Sequence, residues 1–437
     1  MLIDFSVTNF RSIKQKQTLS MVAAEDDDET TDSGQAAKKG LEETNTFPSG
    51  LEKLPRLLRS AVIYGANASG KTNVVRALYF MGSFIISSFK NFSEGESIRV
   101  KPFLFDTESA KLPSEFEITF MIEGIRYQYG FAATTERIME EWLFSYPEGK
   151  TQRWFERAFD NGSSSYKYRF GRKFTGQKKI IETATRQNAL FLSTAIQLND
   201  DQLKPVYNWF LNTLEVFPDL TRIISRFTWD YLESESSKSR ILSFLKAADT
   251  GISDIVIERR PFNPDMLPPS IDSNSSLREQ IIKDLKDKVV ITDFKSIHDS
   301  GISQITLDFE EDESNGTKKL FDLSGLWFDV ISKGKVLVVD ELDTSLHPLL
   351  LRTIVDMFHD PKSNSHNAQL IFNTHDTTLL DPDIYRRDQI WFTEKDRCGA
   401  TSLYSLVEFI PKKNEALERG YLNGRYGAIP FIGDFEF

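Results

Sequence analysis

The sequence predicts an α/β fold with parallel-sheet elements at the two ends of the chain and a mixed, largely helical insertion between them. Three stretches carry that prediction. "LLRSAVIYGANASGKTNVVRALYFMGSFI", residues 57–85, reads as a strand, a glycine-containing loop and an amphipathic helix. "KVLVVDELD", residues 335–343, holds the most apolar strand of the chain, the kind a parallel sheet buries on both faces. "AQLIFNTHD", residues 368–376, is a further apolar strand that runs out into polar residues.

The elements follow in order. Residues 2–13 alternate apolar and polar and read as an edge strand. The tract at 23–44 is acidic, lacks large apolar side chains and reads as a loop. "SEFEITFMIEGIRYQYGFAA", residues 114–133, reads as a β-hairpin, and "ERIMEEWLFSYPEGKTQRWFERAF" continues the strands around a turn at residues 147–149. Helical patterns dominate from about 170 to 260, with Gly251 as a helix stop. A Pro/Ser/Asn-rich loop covers 259–276, strands return near 287–310, and a strand–helix–strand alternation begins at 335. These readings divide the chain into a first part of the fold at 1–165, a helical insertion at 166–285 and a second part at 286–437.

At 437 residues the chain exceeds what one core usually holds, so two lobes are expected. The net charge of −11 gives no overall basic field towards nucleic acid or an anionic membrane, and leaves only a local basic groove open. With a single cysteine, Cys398, an intrachain disulfide or a cysteine-ligated metal site is excluded, as suits a reducing cytosol. The N-terminus has no signal-peptide pattern, and no apolar run reaches the ~18 residues of a membrane span. The expectation is a soluble cytoplasmic protein with no membrane partner.

"GANASGKT" follows the pattern G-x-x-x-x-G-K-[ST] at Gly65, Gly70, Lys71 and Thr72. The glycines let the chain wrap so that backbone N–H groups, including those of Asn67, Ala68, Ser69 and Asn73, face phosphate oxygens. Lys71 adds a point charge for the β- and γ-phosphates, Thr72 a hydroxyl for Mg²⁺, and the following helix its positive N-terminus. Asp340 ends a buried strand where a carboxylate can hold Mg²⁺ directly or through water. The adjacent Glu341 suits a general base for an attacking water, and His375 can reach a γ-phosphate or that water. ATP and Mg²⁺ are therefore the expected cofactors. The other histidines, His298, His347, His359 and His366, have no metal-ligand spacing.

The order of phosphate loop, long insertion, "ESNGT", helix, apolar strand with Asp-Glu and strand with His resembles the ABC-type P-loop ATPase heads. Those heads include transporters, structural-maintenance-of-chromosomes proteins and RecF-like repair ATPases. The resemblance implies a parallel-sheet lobe with an antiparallel β lobe. It also implies that Ser314, Asn315 and Gly316 form the signature that caps the γ-phosphate bound by a second copy, in an ATP-sandwiched homodimer or higher homo-oligomer. "SLH" at 345–347 falls at the family's D-loop, with His347 where the family has aspartate. Gln187 and Gln197 are both candidates for the Q-loop.

"MLIDFSVTNFRSI", "RQNALFLSTAIQLN", "VLVVDELDTSLHPLL", "RRDQIWFTEKDRCGATSLYSL" and "YLNGRYGAIPFIG" further resemble the AAA-type ATPases of the RloA and AbiL kind, found in anti-phage defence loci. That resemblance implies an ATP-driven switch or sensor with a separate nuclease-like effector. The alternative is a DNA-repair or OLD-like nuclease-associated ATPase acting directly on DNA, although too little chain follows His375 for a Toprim catalytic domain. DNA or RNA contact has a candidate in the basic stretch of Lys167, Arg169, Arg172, Lys173, Lys178 and Lys179, which equally reads as a solvated face. The tail "YLNGRYGAIPF", 421–431, reads either as reaching the nucleotide site or a partner, or as packed on the sheet.

Overall fold

The computed structural model describes residues 1–25, 40–52, 54–91, 93–220, 226–261, 263–264, 278–279, 281–283, 289–299, 302–344, 346–409 and 416–430. Most of the acidic tract, most of the Pro/Ser/Asn-rich loop, Ser345 of "SLH" and residue 431 of the tail lie outside the described residues.

Strands β1 (Leu2–Thr8), β2 (Gln17–Ser20), β3 (Thr46–Leu51), β4 (Leu54–Leu58) and β5 (Ser60–Gly65) lead into helix α1 (Lys71–Asn91). A meander follows: β6 (Ser114–Ile122), β7 (Ile125–Ala133), β8 (Ile138–Tyr146), β9 (Gln152–Asp160) and β10 (Ser165–Phe170). Helices α2 (Lys178–Ala184), α3 (Phe191–Gln197) and α4 (Lys204–Asn212) precede β11 (Leu214–Phe217). Next come α5 (Arg226–Tyr231), α6 (Glu235–Ala247), β12 (Ile252–Pro261), β13 (Val289–Asp299), β14 (Gln304–Asp308), α7 (Phe309–Asp312) and α8 (Asn315–Lys333). The chain closes with β15 (Val336–Val339), α9 (Pro348–His359), β16 (Gln369–Asn373), β17 (Ile390–Lys395), β18 (Thr401–Ser405) and α10 (Leu417–Leu422).

Two compact units result, one of Met1–Arg222 with Asp329–Phe437 and one of Ile223–Phe328. The first contains a six-stranded sheet in the order β11-β15-β16-β5-β17-β18. Its first five strands are mutually parallel, and β18 pairs antiparallel with β17. Every residue of β5, β15 and β16 is buried, as suits strands with apolar centres covered on both faces of a parallel sheet. Parallel strands also present their carboxyl ends along one edge, where α/β sheets bind ligands. That edge carries Gly65, Asp340 and the residues after Asn373.

The same unit holds a seven-stranded antiparallel sheet, β10-β9-β8-β7-β6-β1-β2. The hairpin expected at 114–133 is β6 and β7, paired from Ser114 with Ala133 to Ile122 with Ile125. β1, expected at an edge, instead lies between β6 and β2. Alternation reports on the two faces of a strand and not on its edges, and both edges of β1 are paired. Helix α1 buries Val74, Leu78, Met81 and Ile85 at helical spacing. One continuous core joins these residues to Ala61 and Ile63 of β5 and to Phe116 and Phe131 of the antiparallel sheet.

The second unit has a three-stranded antiparallel sheet, β12-β13-β14, with α5 and α6. Trp229 of α5 stacks on Phe294 of β13 and meets Phe309 edge-on, with Phe321 of α8 also in contact. Gly251, the expected helix stop, lies beyond α6 at φ +76°. Among the described residues no helix is long and apolar enough to cross a membrane.

Candidate nucleotide-binding site

The loop "GANASG" leaves the carboxyl end of β5 and turns into α1 at Lys71. Lys71 is almost fully buried, and its Nζ donates to the carbonyls of Gly65 (2.7 Å) and Ala66 (3.1 Å). Burial lowers the pKa of that ammonium, while the carboxylates of Glu341, Asp340 and Asp343 act to raise it. The two glycines answer to close packing. A Cβ on Gly65 would lie 2.5 Å from the Thr393 carbonyl, and one on Gly70, at φ +114°, would overlap the Thr401 side chain. Asn67 and Ala68 stand exposed at the crown, Ala68 with φ +62°.

The walls of the loop come from distant parts of the chain. Thr401 Oγ1 donates to the Ser69 carbonyl (2.8 Å) and also pairs with Ser12 Oγ (2.8 Å), 389 residues away. Asn73 Nδ2 donates to the same Ser12 hydroxyl (2.7 Å), so its side chain faces the outer wall of the loop. Ser69, itself buried, bonds through its hydroxyl to Thr393 Oγ1 (2.6 Å).

Across from the loop, Asp340 and Glu341 follow directly on β15. Asp340 is buried, and that burial raises its pKa, against hydrogen bonds from Asn373 and from the Thr72 hydroxyl. The Thr72 hydroxyl thus lies near enough to Asp340 to act on its carboxylate. Asn373, at the end of β16, holds both acidic residues: its Nδ2 donates to Asp340 Oδ1, and its Oδ1 accepts the Glu341 N–H (2.6 Å). Glu341 has φ +51° and an exposed side chain. His375 is exposed, and its backbone N–H donates to Asp343 Oδ2 (3.1 Å). Thr72 and Asp340 offer oxygen donors only, a pair suited to a hard divalent cation whose charge would offset the desolvated carboxylate.

Ser314, Asn315 and Gly316 lie in the second unit, at the start of α8. Ser314 caps that helix: its Oγ accepts the Thr317 N–H (3.1 Å) and bonds to Thr317 Oγ1 (2.9 Å). Among the described residues a Cβ on Gly316 would meet Ser314 Oγ alone within 4 Å, at an ordinary 3.7 Å. Among the described residues nothing therefore requires glycine there. His347 caps α9, with Nδ1 accepting the Leu349 N–H (3.2 Å). Gln197 ends α3, and the Gln187 carbonyl accepts from Ile138 N (2.8 Å).

Sequence reasoning missed Asn373, Ser12, Thr393 and Thr401. Asn373 had a local signal, as the polar residue between an apolar run and Thr374. The other three had none, because only the fold carries them to the loop.

In overall chain path the protein is similar to several solved structures. An SMC head domain from Thermotoga maritima is 13% identical, with 92% of this chain and 98% of that one covered and a TM-score of 0.40. The recombination mediator protein RecF in its ATP-bound form is 15% identical, covering 92% and 99%, with a TM-score of 0.29. Superpositions this loose fix no residue's role. No curated protein matches the chain. Residues 60–381, well over half of the chain, match the family model AAA_21, described as "AAA domain, putative AbiEii toxin, Type IV TA system". That stretch runs from the start of β5, ahead of the phosphate loop, to Asp381, beyond His375, and the chain belongs to the AAA_21 family.

Proposed function

We propose that this protein binds and hydrolyses ATP as a nucleotide-driven switch, with the ABC-type arrangement of two copies around the nucleotide. The observation that carries this reading is the buried Lys71 of the loop after β5, together with the Asp340–Glu341 pair that Asn373 fixes, at the carboxyl edge of one parallel sheet. In this reading the backbone at Gly65, Asn67, Ala68, Ser69, Gly70 and Asn73 wraps the phosphates, and Lys71 exchanges its two loop carbonyls for phosphate oxygens. Thr72 and Asp340 would hold Mg²⁺, which supplies charge neutralisation between the β- and γ-phosphates. Glu341, pinned through its backbone while its carboxylate stays exposed, accepts the proton of the attacking water. His375 donates towards the γ-phosphate from the neighbouring strand end.

Ser314, Asn315 and Gly316 of a second copy complete the site in this reading. Support comes from the exposed N-terminus of α8, a helix long enough to present a dipole, and from a glycine that no described neighbour requires. We further place the switch in bacterial anti-phage defence, in the RloA and AbiL group, acting on a separate nuclease-like effector. Support here is the resemblance at both ends of the sequence and membership of a family described by a putative toxin. One observation favours direct action on DNA or RNA as the second reading. Lys167 and Arg169 point outward from β10, an edge strand, and Arg172, Lys173 and Lys179 follow it exposed, while Lys178 lies over Phe170 and Phe174.

The test is Glu341→Gln. It is expected to abolish ATP turnover, keep ATP binding and accumulate an ATP-bound dimer in size-exclusion chromatography. Turnover at the wild-type rate would remove Glu341 as the base.

A further inference from the structure

The C-terminal segment, which the sequence left between two readings, packs on the sheet and reaches the nucleotide site as well. Glu418 of α10 accepts a hydrogen bond from Thr377 Oγ1 (2.8 Å), just past His375. The other side of that loop is held by Asp343, through the His375 N–H. Tyr421, on the same helix, stacks on Phe392 of β17 at 5.6 Å and lies 5.7 Å from Tyr64. Its hydroxyl donates to the Ala428 carbonyl (3.2 Å). Tyr64 in turn donates to the Asp376 carbonyl (3.1 Å). One short helix therefore packs on Tyr64, the residue that leads into the phosphate loop, and bonds the loop that carries His375.

The turn after α10 locks this placement. Gly424, Gly427 and Ala428 all have positive φ, at +75°, +67° and +58°. Gly427 passes so close to Tyr404 and Glu394 that a Cβ would lie 2.7 Å from the tyrosine hydroxyl and 2.8 Å from Glu394 Oε2. Tyr404 also donates to the Tyr426 carbonyl (2.9 Å), and Tyr426 stacks on Phe392 at 5.8 Å.

We propose that α10 tethers the His375 loop to the phosphate loop, with Glu418 a positioning residue for ATP turnover that acts through Thr377. This rests on the ATPase reading above. Hinge and outer contacts of this kind set the placement of a reacting group, and their loss is felt in kcat before binding.

The experiment compares steady-state ATP turnover in Glu418→Ala, Glu418→Gln, Thr377→Val and the double variant Glu418→Ala/Thr377→Val. Glu418→Ala and Thr377→Val should each lower kcat about tenfold, with KM for ATP within about twofold. The double variant should lose no more than either single one, because both remove the same bond. Glu418→Gln, which keeps an acceptor for Thr377, should restore kcat to within about twofold of wild type. Unchanged kcat in both single variants, or losses that multiply in the double variant, would overturn the tether.

A second readout needs no turnover. Added ATP should slow amide exchange at residues 417–422 in the wild type and not in Glu418→Ala. Protection of the phosphate loop without protection of α10 would overturn the tether even in a chain that hydrolyses nothing. A wild-type chain with no turnover would count against the ATPase reading alone.

Discussion

Asn373 donates from Nδ2 to the Asp340 carboxylate, joining the ends of two neighbouring parallel strands at the point where the acidic pair emerges. The fully buried carboxamide also accepts the Glu341 N–H, so one side chain orients both acids. Replacing it by leucine removes both bonds and leaves a backbone N–H without its acceptor. Asn373→Leu should lower kcat about 10- to 100-fold and cost about 1–3 kcal/mol of stability. Parallel ATPase assays and urea titrations check this, and a variant with unchanged kcat would separate Asn373 from the chemistry.

Thr401 holds the phosphate loop from the far end of the chain. Thr401→Val keeps the shape and removes the bonds to the Ser69 carbonyl and to Ser12. ATP binding should weaken about fivefold to tenfold, the effect of losing roughly one buried hydrogen bond. Thr401→Ser should bind as wild type, since it keeps the hydroxyl. Titration with a fluorescent ATP analogue measures both.

Glu141 and Arg157 form an ion pair (3.6 Å) with neither side chain exposed. Glu141 also receives the N–H groups of Phe191 (2.6 Å) and Leu192 (3.0 Å), which fastens the first turn of α3 to β8. Burial raises the Glu141 pKa, and Arg157 acts against that rise. Removing one partner strands the other, so Glu141→Ala should cost about 3–5 kcal/mol. Glu141→Leu combined with Arg157→Met should cost less than Glu141→Ala alone. Denaturant midpoints decide between these outcomes.

His359 gives the pH dependence. Its ring is buried against Ser60 (2.7 Å) and Gln389, and burial followed by the charge of Arg59 lowers its pKa from 6.5 to about 3. The unfolded chain takes up a proton below about pH 6.5 that the folded chain refuses until about pH 3. This contribution to stability is complete above about pH 6.5 and is lost on acidification, by up to about 1.4 kcal/mol per pH unit. His359→Gln should flatten the stability curve between pH 6.5 and 4 relative to wild type. An equal slope in both proteins would show that His359 is not held neutral.

What the sequence made legible was local or periodic. The phosphate loop is a contiguous run, and the strands at 336–339 and 369–373 are built on the continuous apolar stretches 336–339 and 370–372. The hairpin at 114–133 announced itself by alternation. What stayed hidden depends on residues far apart in the chain. Ser12 and Thr401 meet only because β2 and β18 lie near each other, and β1 loses its edge position only because β2 pairs along its free edge. Glu141 read as an ordinary polar position on a strand, and its burial follows from a helix that begins 50 residues later. The tail held two alternatives because packing on the sheet and reaching the site are, in this fold, one placement.

The central claim is that two copies build each site. In the proposed arrangement Lys71→Ala removes the ammonium that would bind phosphate, and Ser314→Arg blocks the loop that would cap it, so each variant alone should be inactive. Mixed in equal amounts, half of the dimers should pair one of each and hold one intact composite site, giving about a quarter of wild-type turnover. Steady-state ATP hydrolysis of the mixture is the direct measurement. Recovery to that level is the result expected, and a mixture no more active than its separate components would contradict assembly of the site between copies.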